Sequence, residues 1–153
     1  MIYTKDGAPN SLPKIVIKKL IKAERQDVFN IVANYENFQN ILPQYFPSIR
    51  VRSVRDNIAV VEEHLRLGSR ELIMTTKHIT KYPESHDVFV LGGDAKGSHI
   101  SETYEKTDRG TLLTVIADIK LGGTVKIAGF FGNSKIKSEF GKVINEFCKI
   151  AES

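Results

Sequence analysis

The sequence predicts an α+β domain: a curved antiparallel sheet of seven strands around a long C-terminal helix, with two short helices between the first and second strands. Three observations point to it. Residues 49–121 divide into six β-rich stretches joined by short, turn-forming connections. Residues 136–151 carry an apolar stripe at helical spacing. Between the first strand and the other six, the periodicity turns briefly helical. Strands in succession with a helix at the end favour an antiparallel sheet with its helices on one face.

Residues 1–13 read as an extended tail. They include Lys5 and Asp6 and no apolar run, so they do not resemble a secretory leader. Residues 14–153 are expected to form one domain. No stretch approaches the roughly 18 apolar residues of a membrane span, so a cytoplasmic location is expected, with transient contact at a membrane surface left open.

Residues 14–22 contain IVIKKLIK, β-branched residues interspersed with lysines, which is a strand pattern. Val28, Phe29 and Val32 then repeat at helical spacing, predicting a helix over residues 25–34 with Asp27 at the positive end of its dipole. Asn37 precedes Phe38, Ile41 and Leu42, and Pro43 ends this second short helix. Connections follow at Asp56-Asn57, Gly68-Ser69, residues 83–85, residues 92–97 and residues 108–110. Ile136, Phe140, Val143, Ile144 and Phe147 define the final helix. The glycine-rich residues 122–134, with Phe130 and Phe131, are either an early helix start or an apolar lid.

Strand register follows from the turns. A two-residue loop at Gly68-Ser69 sets Leu65 against Leu72 and Glu63 against Met74 on one face, and Arg66 against Glu71 on the other. Carried onward, the same parity places His78 near Leu91, Thr80 near Phe89, and Phe89 opposite Ile100. The Asp108-Arg109 turn sets Tyr104 against Leu113, Glu102 against Val115 and Ile100 against Ala117. The concave face is therefore apolar apart from Glu63, Thr76, His78, Ser98, Glu102 and Tyr104, whereas His64, His86 and His99 fall on the outer face. Buried carboxylates cost several kcal/mol unless paired or solvated, so Glu63 and Glu102 must meet partners, water or a guest.

With 153 residues, 41% of them hydrophobic and 26% charged, the chain can bury roughly 70% of its unfolded surface. The net charge of +4 is spread among acids and lacks an aromatic-rich basic stripe; it reads as a solvated surface rather than a nucleic-acid footprint. Cys148, the single cysteine, excludes an intramolecular disulfide and reads as a small core filler. No H-E-x-x-H, C-x-x-C, P-loop or G-x-S-x-G pattern occurs, so no metal, cofactor or activated nucleophile is expected.

Val28-Phe29, Tyr35, Phe38 and Leu42-Pro43, within KAERQDVFNIVANYENFQNILPQYFPSIRVRSV (residues 22–54), together with the element order, resemble the START-like superfamily. This is the polyketide cyclase/dehydrase and lipid-transport group, which has the helix-grip fold. The resemblance spans residues 14–151 and is nearest to coenzyme Q-binding START-type proteins and their ribosome-associated toxin relatives. The chain departs from both subgroups in having no tryptophan and in lacking a match to their later-strand motifs.

The resemblance implies a ligand held between sheet and C-terminal helix. Its walls would include Leu65, Met74, Phe89, Ile100 and Tyr104 from the first part of the sheet. Leu113 and Val115 would follow from the last strand, and Ile136, Phe140 and Phe147 from the helix. Glu63, His78 and Glu102 would anchor the polar end. The favoured reading is a non-catalytic binder or carrier of a hydrophobic small molecule, a lipid or isoprenoid quinone. One alternative is a cyclase or dehydratase that uses Glu63, His78 or Glu102 as acid and base. Another is an interaction module that docks on ribosomes through its basic surface.

Overall fold

A computed structural model describes residues 14–120 and 133–153. The tail at residues 1–13, Leu121, and the Phe130-Phe131 segment lie outside the described residues. The element order is β1 (Ile15–Ile21), α1 (Arg25–Val32), a 3-10 turn (Tyr35–Asn37), α2 (Phe38–Ile41), β2 (Ser48–Arg55), β3 (Ile58–Leu67), β4 (Arg70–Lys81), β5 (Ser85–Gly93), β6 (His99–Thr107), β7 (Gly110–Asp118) and α3 (Asn133–Glu152). The seven strands form one antiparallel sheet in the order β1-β7-β6-β5-β4-β3-β2. This is the helix-grip architecture.

Alternation decides which side of each strand is buried. In β7, Thr111, Leu113, Val115 and Ala117 are fully buried, whereas Ile116 on the other parity is exposed. Along α3, Ile136, Phe140, Val143, Ile144 and Phe147 recur on one helical face and are buried against the concave side of the sheet. Phe38 and Phe46 meet Phe147, with ring centroids 5.0 and 5.9 Å away. The first two lie 4.7 Å from each other. α1 has no side-chain cap, and Asp27 occupies its first turn.

Two hairpins have the expected register. Leu65 faces Leu72 and Glu63 faces Met74, and Tyr104 faces Leu113 while Glu102 faces Val115. The β4–β5 hairpin does not. Its loop is Tyr82, Pro83 and Glu84, which brings Lys81 opposite Ser85, Thr80 opposite His86 and His78 opposite Val88. This reverses the expected parity of β5. Phe89 faces outward, its ring 4.2 Å from that of His99 and nearly parallel to it, with the Lys77 ammonium 5.3 Å above. His86, Val88 and Val90 point inward instead. Ile100 pairs with Val88 rather than Phe89; this one-residue offset, following the three-residue offset between β4 and β5, restores the parity and returns β6 to its expected face.

Beyond Val90, β5 contains a bulge. Thr76 pairs with Val90 and Thr75 with Gly92, leaving Leu91 as the extra residue, exposed at the surface. Gly93 follows at φ +80, where a Cβ would sit 2.3 Å from the Ile73 carbonyl oxygen. Only glycine fits there.

Candidate functional site

Between the concave face and α3 lies a hollow of about 90 Å³. Ile136, Phe140, Val143, Ile144 and Phe147 of α3 form one wall, joined by Phe38 and Phe46. Leu65, Leu67, Leu72, Met74 and Ile100 are among the apolar residues the sheet contributes. The polar part of the lining comes from neighbouring strands: Glu63 on β3, Thr76 and His78 on β4, His86 on β5 and Glu102 on β6, with Ser98 just before β6.

Pleating brings these side chains together. Inward residues on adjacent strands meet either directly across the ladder or on the diagonal two residues away. His86 and Glu102 are a direct cross-strand pair, whereas Glu63 and Thr76, and His78 and His86, meet on diagonals. The result is one continuous hydrogen-bonded chain, buried throughout. Thr76 donates its hydroxyl to Oε1 of Glu63 in a short contact. His78 Nε2 lies 2.8 Å from the same oxygen, and its Nδ1 lies 2.8 Å from His86 Nε2. His86 Nδ1 lies 2.7 Å from Glu102 Oε1, to which the Tyr104 hydroxyl also donates at 2.6 Å. The ring of Tyr35 covers His78 at 4.6 Å.

Burial alone would raise the Glu63 carboxyl. The charge of His78, the hydrogen bonds from His78 and Thr76, and the more distant His86 outweigh that penalty and hold it below its ordinary value. Tyr104 moves the other way: burial first, then the adjacent Glu102 carboxylate and the bond to it, push its phenol well above the usual range. It therefore remains a donor. Tyr35 is raised by burial and by Glu36.

Most of the sequence-predicted site residues converge here. Glu63, Leu65, Met74, His78, Ile100 and Glu102 line the hollow, as do Ile136, Phe140 and Phe147. Tyr104, Leu113 and Val115 are buried but do not border it; α1 packs over β6 and β7 at that end, placing Phe29 5.1 Å from the Tyr104 ring. Phe89 is on the opposite face. Sequence parity puts His86 on the outer face, but the structure sets it at the centre of the polar chain. Phe38 and Phe46 contribute aromatic walls that no strand periodicity could reveal, since Phe46 lies in an aperiodic stretch after Pro43.

Of the remaining histidines, His64 bonds Glu71 at 3.2 Å and His99 bonds Asp87 at 2.8 Å, both away from the hollow. Cys148 is half-buried against the core, and burial, opposed by Lys19 and aided by Glu152, pushes its thiol up to about 11. It is no nucleophile at neutral pH. Among the described residues, no group of three or more histidine, cysteine or acidic side chains is arranged to hold a metal ion. None of the described helices is long and apolar enough to cross a membrane.

No family model matches the chain, and no curated protein matches it. Solved structures do. The di-domain aromatase/cyclase BexL from the BE-7585A biosynthetic pathway aligns with a TM-score of 0.76 at 11% identity, covering 96% of this chain and 50% of that one. This chain thus spans about half of that protein. The Zhui aromatase/cyclase from Streptomyces sp. R1128 aligns at 0.70 and 11% identity, covering 92% and 93%. A START superfamily protein from Mycobacterium smegmatis aligns at 0.70 and 12% identity, covering 91% and 94%. These structural neighbours are START/SRPBCC-superfamily proteins. At such identities the likeness is one of fold, and the fold is the helix grip.

Proposed function

We propose that this chain binds a hydrophobic small molecule of the lipid or isoprenoid-quinone class in the hollow between its sheet and α3, as a cytoplasmic binder or carrier. The observation that carries this reading is the composition of the lining: apolar on nearly every side, with a few convergent polar groups, the usual makeup of a small-molecule site. The START superfamily protein and the aromatase/cyclases that share the fold support it.

At about 90 Å³ the hollow is smaller than the roughly 300–1,000 Å³ of most ligand sites. In this form it accommodates a ring or head group rather than a whole isoprenoid tail. A longer guest requires the walls of the hollow to move apart. Native mass spectrometry and solvent extraction of the purified protein test the proposal: an apolar adduct is expected, and protein that carries none and takes up no small apolar probe would sink it.

A second reading has one observation in its favour. The buried Glu63–His78–His86–Glu102 chain joins carboxylates and imidazoles in the way acid–base chemistry needs, and two of the three structures named above are aromatase/cyclases. Turnover that disappears in Glu63→Gln while binding persists would favour this reading over simple carriage.

A further inference from the structure

The polar wall has a fixed charge and a fixed hydrogen-bonding sense, and together they restrict what the hollow can take. This inference rests on the reading that the hollow takes a small apolar guest. The links Glu63–His78, His78–His86 and His86–Glu102 each hold one proton between two basic atoms. Stripped of those protons, two carboxylates and two imidazoles would carry four negative charges, and three protons leave one. Whichever way each proton leans, the satisfied chain has a single net negative charge. No lysine or arginine is among the described residues that line the hollow.

Among the described residues, every side-chain donor on this wall is already committed. Both ring nitrogens of His78 and of His86 are used within the chain. The Thr76 and Tyr104 hydroxyls donate to Glu63 and Glu102, and the Ser98 hydroxyl is engaged with the Lys120 backbone. Acceptors remain available. All bonds to the two carboxylates use Oε1, and no hydrogen bond among the described residues engages either Oε2.

We propose that the guest is a neutral apolar molecule that presents a hydroxyl group as donor to the Glu63 carboxylate, and that the hollow rejects both anions and guests with acceptors only. A buried anion would meet like charge, with no lysine or arginine among the described lining residues to compensate it. A ketone, ether or oxidised quinone would find no uncommitted side-chain donor among the described lining residues, whereas an alcohol, phenol or reduced quinone finds an acceptor. The depressed Glu63 carboxyl keeps that acceptor ionised at neutral pH.

Phenol, anisole, toluene and benzoate test the rule with one ring and four polar ends. Each is titrated into the wild-type protein at pH 7 and followed by amide chemical shifts in two-dimensional NMR. Phenol should bind about tenfold or more tighter than toluene or anisole, because its donor meets a charged acceptor, and benzoate should give no saturable shift. In Glu63→Gln the advantage of phenol over toluene should fall to about threefold or less, with toluene binding retained. Should that variant fail to fold, the wild-type ranking decides alone. Toluene binding as tightly as phenol, or benzoate saturating the site, overturns the rule and leaves the pocket reading standing. If none of the four perturbs the amides of Val90 or Phe140, the pocket reading itself is withdrawn, and this inference with it.

Discussion

Nδ1 of His78 stands 2.8 Å from Nε2 of His86, and the two ring planes are only 16° apart. Two imidazoles on neighbouring strands thus share an in-plane hydrogen bond in the interior. Each ring's second nitrogen is held by a glutamate. The proton between the two rings can rest on only one of them, so where one ring donates across this contact the other must accept.

Glu63 makes stability depend on acid. Its folded carboxyl lies below its ordinary value of 4.5, so its contribution is complete above that value and is lost as the pH falls through the lower, folded one. Thermal melts from pH 7 down to about pH 3 should show the wild type losing stability steeply below pH 4.5. Glu63→Gln should be about 1–3 kcal/mol less stable at pH 7 and show a flatter acid limb. Parallel acid limbs would contradict this assignment.

Tyr104→Phe removes the hydroxyl that donates to Glu102 at 2.6 Å and keeps the ring against Phe29. A buried carboxylate loses a donor without any change in packing. Urea unfolding should report a loss of about 1–3 kcal/mol. A neutral substitution would mean that the phenol contributes packing alone.

Phe147 joins α3 to Phe38 and Phe46 and borders the hollow. Phe147→Ala should cost about 3–5 kcal/mol in denaturant unfolding. The space it opens should also strengthen toluene binding, as an apolar guest fills an apolar void. Unchanged toluene affinity in a folded variant would place the guest elsewhere.

Phe89→Ala tests the register of β5. The ring stacks on His99 at the outer surface, so its removal should cost about 0.5–1.5 kcal/mol and leave phenol affinity within about twofold of wild type. A tenfold weakening would mean that β5 presents the other parity to the hollow.

The contrast between Phe89 and Glu102 shows how far the sequence reading reached. Two-residue turns at Gly68-Ser69 and Asp108-Arg109 fix parity, and the pairs around them are those found in the structure. The Tyr82–Pro83–Glu84 loop has one residue more, and parity carried through it puts Phe89 inside and His86 outside. Charge compensation could have corrected this. In the wrong register Glu102 is buried opposite no base, whereas a one-residue shift brings His86 to it and turns Phe89 outward. The positions of Phe38 and Phe46 depend on how α2 and the following chain fold over α3, which strand alternation does not encode. The size of the hollow is set by side-chain packing, which periodicity does not carry.

The polar chain runs crosswise to the strands, through β3, β4, β5 and β6 in turn. Because each strand contributes at least one member, the chain closes in a single alignment of all four. Sliding any of them by one residue turns an imidazole or a carboxylate to the far side and strands its neighbour in an apolar interior, at a cost of several kcal/mol. The Glu–His–His–Glu row thus works as a combination lock on the sheet, penalising every misaligned assembly more heavily than it rewards the correct one.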